Sequence, residues 1–432
     1  MAPWDQGLWV VSCAVTALIA ETPEVAALAA VVAASSLVTF DLEFLTQDRL
    51  VPTLCLVQVS WLPAHLTLDA AVEEIVSTPP EVALIDPMTV DVRPLIEALA
   101  GHPCVVAHAA RQDLGILAAQ FGIAMPAIID TQVMAAFAGI GDQIGLAALA
   151  SELLGLTLGK ELQWTDWAKR PLSTAQLAYA ASDVRHLPAI YALLAGKLGD
   201  RLAWARAESS VVASDAVAAA SVTPETAWQS ISGLRGLDAV ALATVVELAA
   251  WRHRVALEVD RPLGWVLNEK TIIELARQRP DDPDAVRGLK GVSQLARQRA
   301  DDIVAAVASA RPEDVSPIRV GRAASARAQR WTETLLAITQ LVADRTGVAS
   351  RLLATRADAE AFARAVDEHG LAATQSLPAM LTWRHDVLGV AWLGWLDGTL
   401  ALVGDLSAST GLGLVGRSTL SPLSPRPALP SI

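Results

Sequence analysis

The feature that most constrains the fold is an alternation of strand-like and helix-like segments between residues 22 and 200. Thr39–Phe44 alternates polar and apolar residues, which is the period of a half-buried strand. Further strands are predicted over residues 53–60, 65–69, 82–86, 104–108 and 127–130, and helices over 111–121, 132–138, 146–154, 174–182 and 188–198. The short spacing of the first strands favours antiparallel pairing. The pattern therefore predicts a mixed sheet with flanking helices, an α/β domain.

The remaining sequence is helical in character, and the length of 432 residues favours about three domains. Small residues over 205–227 and a loose stretch over 311–327 are interpreted as linkers, and the Pro- and Ser-rich C-terminus as disordered. The predicted organisation is an N-terminal extension (1–21), the α/β domain (22–204), a linker (205–227), a helical domain (228–310), a second linker (311–327), a C-terminal helical domain (328–415) and a tail (416–432).

Composition excludes several classes of protein. Hydrophobic residues make up 53% of the chain, which excludes a disordered or fibrous protein. The apolar run over residues 25–40 contains Ser35, Ser36 and Thr39 and is shorter than the roughly 20 residues of a membrane-spanning helix. The first 20 residues contain Asp5 and no Lys or Arg, unlike a secretory signal. Three cysteines without a CxxC pair indicate reduced thiols in a cytoplasmic protein.

Carboxylates mark a candidate site on the first core strand. Asp41 and Glu43 lie two residues apart and therefore share one strand face, opposite Phe40, Leu42 and Phe44. Such a pair repels unless a cation neutralises it, and oxygen ligands suit Mg²⁺ or Mn²⁺. A solvated strand end explains a lone Asp-x-Glu equally simply.

Two further groups carry acids on helices. Asp113 follows the apolar strand over 104–108, in the first turn of the next helix, where an acid also simply stabilises the helix dipole. Tyr179 and Asp183 are four residues apart and share one helix face, which also fits a surface pair.

Taken in order, Asp-x-Glu, Asp and Tyr-x-x-x-Asp resemble the tyrosine subgroup of the DEDD superfamily of 3′→5′ exonucleases. The stretch over 40–44 is similar to the first motif, with Leu42 where the family usually has Thr, and 108–114 is similar to the second. Residues 160–172 lead into Tyr179 as in the ribonuclease D family, and 251–276 resembles an HRDC domain. Residues 328–405 resemble a second HRDC module more loosely. The implied fold is a ribonuclease H-like α/β exonuclease domain followed by one or two all-α HRDC-like domains.

The resemblance also implies a mechanism. Two divalent ions, Mg²⁺ or Mn²⁺, would be held by Asp41, Glu43, Asp113 and Asp183, and Tyr179 would orient the attacking water. The implied reaction trims RNA 3′ ends, such as those of transfer RNA precursors, and releases 5′-phosphomononucleotides. A DNA exonuclease with the same site and a catalytically silent nucleic-acid-binding scaffold stay open as alternatives.

Charge is unevenly distributed. The net charge of −13 argues against a uniformly basic nucleic-acid binder, yet residues 251–330 hold 15 bases against 11 acids, a local charge of +4. Such a segment can hold RNA electrostatically while an acidic domain cuts it. Candidate contacts to RNA or single-stranded DNA are His108, Lys160, Arg170, Arg252 and Arg261. No membrane association and no obligate protein partner are expected.

Overall fold

A computed structural model describes residues 18–159, 162–163, 165–315 and 324–416. These residues form two compact units. The first contains the described residues of 1–133 and 145–322, and the second those of 134–144 and 323–432. Within the described ranges, no helix is both long and apolar enough to cross a membrane.

A six-stranded mixed sheet is the centre of the first unit. The strands are β1 (Leu18–Ile19), β2 (Val38–Leu45), β3 (Thr53–Trp61), β4 (Glu81–Ile85), β5 (Val105–Ala107) and β6 (Ile128–Asp130). Their order in the sheet is β1-β4-β3-β2-β5-β6. β2 pairs antiparallel with β3, and β3 with β4, while β1–β4, β2–β5 and β5–β6 are parallel. The predicted mixed α/β architecture is confirmed.

Two local predictions about the sheet are wrong. Residues 65–69 form turns instead of a strand, because the backbone N–H of Leu66 bonds to the carbonyl of Pro63 and that of Ala70 to Thr67. The N-terminal extension does not reach residue 21, because β1 is a strand of the sheet and a helix begins at Thr22. A two-residue strand is too short to show any periodicity in the sequence.

Helices cover the sheet and continue the chain. Those between residues 22 and 220 are α1 (Thr22–Ala34), α2 (Val72–Ser77), α3 (Arg93–Gly101), α4 (Arg111–Phe121), α5 (Thr131–Phe137), α6 (Leu146–Leu154), α7 (Thr174–Arg185), α8 (Leu187–Leu198) and α9 (Leu202–Ala220). Short 3₁₀ turns occur at Gly199–Arg201 and Ala227–Ser230. α7 packs across β2, β3 and β4. This placement brings α7 over the polar face of β2.

The linker predicted over 205–227 is wrong for most of its length, because α9 fills it up to Ala220 and packs against α4 and β6. One of its serines shows the difference from a linker. Ser209 is fully buried, and its hydroxyl oxygen accepts a hydrogen bond from the backbone N–H of Asp130. Small side chains allow the helix to lie close to the sheet, and the same small side chains made the segment look unstructured.

A helical domain follows in the first unit. Its helices are α10 (Ala239–Val259), α11 (Leu263–Val266), α12 (Glu269–Gln278), α13 (Pro283–Gly288), α14 (Gln294–Gln298) and α15 (Ala300–Ser309), with a 3₁₀ turn at Pro312–Val315. Leu50, in the β2–β3 turn, packs against its apolar core. The Asp260 carboxylate accepts hydrogen bonds from the backbone N–H groups of Leu50 and Val51, both at 3.1 Å. These contacts fasten the helical domain to the turn that follows β2.

The second unit has its own core, in which Phe362 and Trp392 make an edge-to-face contact at 4.9 Å. Arg351 bonds to the Asp142 carboxylate within this unit. Its helices are α16 (Ala326–Thr346), α17 (Ser350–Leu353), α18 (Arg356–His369), α19 (Thr382–Arg384) and α20 (Val390–Leu396), with short turns at Leu371–Thr374, Pro378–Met380 and His385–Gly389. A hairpin of β7 (Leu400–Gly404) and β8 (Leu412–Gly416) follows. The tail expected after residue 416 lies outside the described residues, as do residues 1–17 and 316–323.

Candidate active site

Three carboxylates meet on one face of the sheet. Asp41 and Glu43 on β2 and Asp183 on α7 each place a carboxylate oxygen within 4.8 Å of those of the other two. Phe40 and Leu42 face the opposite side and are buried in the apolar core. The prediction that Leu42 points away from the acids is therefore confirmed.

Local sequence fixes α7 above this face. Ser173 caps its first turn in a reciprocal capping box with Gln176. At the other end, the hydroxyl groups of Thr39 and Ser60 donate to the carbonyl of Val184, at 3.3 and 2.9 Å. These bonds anchor the residue next to Asp183 directly to β2 and β3.

Tyr179 lies one helical turn before Asp183, as the spacing predicted, and its hydroxyl is hydrogen-bonded to the Asp183 carboxylate. Burial and the neighbouring carboxylates raise the pKa of Tyr179 well above its usual range. The phenol therefore stays protonated at neutral pH and donates to Asp183. Trp167, whose ring centre is 6.1 Å from that of Tyr179, is fully buried, as expected of a core residue.

Asp113 occupies the first turn of α4 and is 7% exposed. Burial raises the pKa of its carboxyl group well above the ordinary value, and repulsion from Asp41 adds to the increase. Asp113 is not one of the three acids whose oxygens lie within 4.8 Å of one another. It therefore stands beside the cluster on the Asp41 side.

The loop before α4 is held by Asp130. Asp130 accepts a hydrogen bond from the N–H of Gln132 at the start of α5, as a helix-capping residue does. Its carboxylate also accepts from the N–H groups of Ala109 and Ala110, at 2.9 and 3.0 Å. Ala109 has a φ of 55°, a left-handed conformation that costs energy for a non-glycine residue. Asp130 thus fixes the loop that places Asp113.

Mutual repulsion and burial dominate the electrostatics of the cluster. Burial, with repulsion from the neighbouring carboxylates, raises the pKa of Glu43 to about 9 and that of Asp183 to about 8, and burial raises that of Asp41 to about 6. Half-buried acids this close together cannot all ionise without a compensating positive charge. The donor set is entirely oxygen and anionic, which fits a hard divalent cation. These residues can therefore hold such an ion.

Comparison with known proteins identifies the family. Residues 18–199 match the family model described as 3′-5′ exonuclease, and residues 241–307 match the HRDC domain. The ribonuclease D of Acidiphilium cryptum is 34% identical over 396 residues, which cover 89% of this chain and 94% of that protein. This chain belongs to the ribonuclease D family. The ribonuclease D of Jannaschia sp. is 33% identical over 404 residues, covering 89% and 96% of the two chains.

A solved structure agrees with this assignment. The crystal structure of Escherichia coli RNase D, described as an exoribonuclease involved in structured RNA processing, superposes with a TM-score of 0.73 at 25% identity. The match covers 89% of this chain and 99% of that one. This ribonuclease D family member is accordingly a 3′–5′ exoribonuclease, with an exonuclease domain followed by a helical HRDC region.

Two of the five predicted nucleic-acid contacts, Arg252 and Arg170, are bonded inside the protein. Arg252 is 3% exposed and donates to the carbonyl of Leu267 inside the HRDC domain, so that prediction is wrong. Arg170 is also taken up within the protein: its guanidinium bonds both carboxylate oxygens of Asp86, at 2.6 and 2.7 Å, and the carbonyl of Cys55 at 2.7 Å. The sequence shows that these side chains are charged, but it does not show that they bond other groups of the same protein.

The other three candidates differ. Arg261 donates to the carbonyl of Asp48 in the β2–β3 turn, although its side chain is about half exposed. This bond fastens the HRDC domain to that turn. His108 is half-buried, and its Nδ1 atom lies 2.9 Å from the Thr131 hydroxyl, beside the loop that Asp130 holds. Lys160 lies outside the described residues. For His108 and Lys160, contact with RNA stays a prediction.

The raised pKa values predict that the metal-free protein loses stability as pH rises. In the unfolded chain these acids ionise near pH 4, but in the fold Asp41, Asp183 and Glu43 ionise only near 6, 8 and 9. The unfolded state is therefore favoured progressively from about pH 4 to pH 9. In EDTA we expect Tm to fall by about 5 °C or more between pH 5 and pH 9, and Mg²⁺ to restore it most at high pH.

A variant that lacks two of the acids provides the control for this effect. Asp41→Asn/Glu43→Gln is expected to show a shallower decrease of Tm with pH in EDTA and little response to Mg²⁺. Thermal denaturation of both proteins across this range checks the expectation. Equal slopes for the two proteins would show that the carboxylate cluster does not ionise as described.

Proposed function

We propose that this protein hydrolyses RNA from the 3′ end, releasing 5′-phosphomononucleotides, at a site of Asp41, Glu43, Asp113, Asp183 and Tyr179 with two divalent ions, Mg²⁺ or Mn²⁺. The observation that carries the proposal is the convergence of carboxylate oxygens from β2 and α7 within 4.8 Å. Structured RNAs such as transfer RNA precursors are the substrate class. The E. coli relative, described as processing structured RNA, supports this choice.

Each side chain has a separate task in this proposal. Asp41, Glu43 and Asp183 would hold one divalent ion, and Asp41 and Asp113 would hold the second. Bound divalent ions supply an activated water and offset the negative charge that builds up on the phosphate. Asp130 keeps Asp113 in place through the loop at Ala109 and Ala110. The capped and anchored α7 keeps Tyr179 and Asp183 facing β2.

Tyr179 orients the attacking water. Its protonated hydroxyl donates to Asp183, so its oxygen lone pairs are free to accept a hydrogen bond from water. A phenol whose pKa lies well above its usual range is a poor general base at neutral pH. The role of Tyr179 is thus positional, and it affects turnover more than binding.

Tyr179→Phe is expected to lower kcat by about 10- to 100-fold with little change in KM, because it removes a hydrogen bond made to the reacting water. The matched control is Tyr191→Phe, since the Tyr191 hydroxyl bonds Arg206 away from the cluster and the chain has no other tyrosine. Steady-state kinetics on a single-stranded RNA separates the two effects. A raised KM with unchanged kcat would reverse the role given to Tyr179.

The HRDC domain holds the RNA. With Arg252 buried, the cations proposed to contact phosphate are those that are exposed and outside the ion pairs of the described residues: Arg235, Arg254, Lys270, Arg277, Lys290 and Arg297. Binding of this kind is electrostatic and weakens with salt. In this proposal the exonuclease domain comprises residues 18–220, including β1 and α9, and the HRDC domain comprises residues 228–310. A cytoplasmic location is proposed because Cys55 and Cys104 are free thiols.

The test uses RNA and DNA strands of one sequence, labelled at either end and incubated with the full-length protein with and without Mg²⁺. The expected result is immediate release of labelled mononucleotide from 3′-labelled RNA and a gradually shortening ladder from 5′-labelled RNA, only with Mg²⁺. Equally fast degradation of the DNA strand would favour a general 3′ exonuclease. Binding without any cleavage would favour a silent scaffold.

A further inference from the structure

A buried glutamine next to the cluster has no assigned role. Gln58 on β3 is completely buried, and neither the oxygen nor the nitrogen of its side-chain amide has a hydrogen-bond partner among the described residues. Burying an amide without replacing its hydrogen bonds to water costs free energy, and native proteins rarely contain such an amide. A hydrogen-bond partner for the Gln58 amide is therefore expected.

Strand register identifies the partner. Gln58 is directly opposite Asp41 in the antiparallel β2–β3 pair, so the two side chains share one face of the sheet. Directly opposed residues have Cβ atoms about 4.5–5.5 Å apart, which is within reach of a glutamine amide after a rotation of its side chain.

Apart from Glu43, which belongs to the cluster and lies diagonally across the strand pair, the other neighbours of Gln58 on this face offer no free polar group. Leu84 lies opposite it on β4, and Leu56 lies two residues before it; both are apolar and packed with α7 residues. Two residues after it, the Ser60 hydroxyl is committed to Thr39 and to the carbonyl of Val184. The Asp41 carboxylate is thus the hydrogen-bonding group that the sheet places beside the amide.

We infer that Gln58 is a positioning residue for Asp41, donating its amide N–H to a carboxylate oxygen of Asp41 when the cluster holds divalent ions. This inference rests on the proposed function of the cluster. A carboxylate has about four lone-pair directions, so Asp41 can bind ions and still accept this bond. A neutral amide orients the carboxylate without competing with the divalent ions for the site. A positively charged lysine would compete with them. Hydrogen bonds to metal ligands commonly strengthen metal binding by 10- to 100-fold.

The test measures Mn²⁺ binding by calorimetry, without RNA, for the wild type and for Gln58→Met, which keeps the length of the side chain and removes the amide. We expect Mn²⁺ affinity to fall about tenfold or more, with Tm in EDTA unchanged or higher because an unpaired buried amide has been removed. We also expect kcat to recover at saturating Mn²⁺. Gln58→Leu serves the same purpose if the Met variant does not fold.

Gln120→Met is the matched control, because the Gln120 amide donates to the carbonyl of Pro52, outside the cluster. It should leave Mn²⁺ affinity unchanged. A lower Tm in EDTA with unchanged Mn²⁺ affinity for Gln58→Met would make Gln58 a core residue and overturn the inference. Wild-type-like behaviour in every measurement would overturn it too. Failure of the wild type to bind Mn²⁺ or to cut RNA would instead refute the proposed function.

Discussion

Asp41→Asn and Asp183→Asn are each expected to abolish hydrolysis in Mg²⁺, with a loss of roughly 10³-fold or more, because residues that act as one catalytic unit fail together. A carboxamide is neutral and binds a hard cation weakly. Each substitution converts one of three carboxylates whose oxygens lie within 4.8 Å of one another into a neutral amide. Single-turnover cleavage of 3′-labelled RNA measures the loss.

The fold should survive both substitutions. Replacing a carboxyl group whose pKa is raised removes repulsion, so Tm in EDTA near pH 8 is expected to stay the same or increase. Glu73→Gln, at an exposed position on α2, is the matched control and should keep full activity. Retained hydrolysis in either active-site variant, with normal dependence on Mg²⁺, would refute the site assignment.

Arg170→Ala is expected to reduce the free energy of unfolding by about 3–5 kcal/mol, the usual consequence of removing one partner of a buried ion pair. Asp86 is 2% exposed and would keep an uncompensated carboxylate. The carbonyl of Cys55 would also lose its bond from Arg170. In the β2–β3 register Cys55 is the extra residue at the bulge that follows Glu43. The same substitution therefore loosens the strand pair that carries the acids.

Urea unfolding, with the proteins compared at equal ionic strength, measures this loss. Arg93→Ala is the control, because its ion pair with Glu97 is solvent-exposed and such pairs contribute about 1 kcal/mol or less. A double variant with Asp86→Asn should cost much less than the sum of the two single variants, since each single change already breaks the pair. Strict additivity would mean that Arg170 and Asp86 do not act together.

The shared faces of the paired site residues could be predicted from the sequence because they depend on local periods, whereas the assembly of the acids into one site was implied by the resemblance to the exonuclease family. A strand places Asp41 and Glu43 on one face, and a helix places Tyr179 and Asp183 on one face, whatever the rest of the fold does. The boundaries of α4 were also readable, because its apolar residues recur at helical spacing up to Phe121 and Gly122 ends it in a left-handed conformation.

Properties that depend on tertiary packing could not be predicted. Arg252 looked like a phosphate contact because sequence shows charge but not burial, and its side chain is inside the HRDC core. Gln58 and Ser60 stand out as polar residues two apart in an apolar strand, a visible signal. Only the strand register, however, shows that Gln58 is opposite Asp41.

The measurement that tests the central claim most directly is an anomalous difference map from crystals of the full-length protein soaked in Mn²⁺. The expected result is Mn²⁺ bound by Asp41, Glu43 and Asp183, with a second peak between Asp41 and Asp113. Mn²⁺ bound elsewhere, in a protein that hydrolyses RNA under the same conditions, would contradict the assignment of this carboxylate cluster as the catalytic centre.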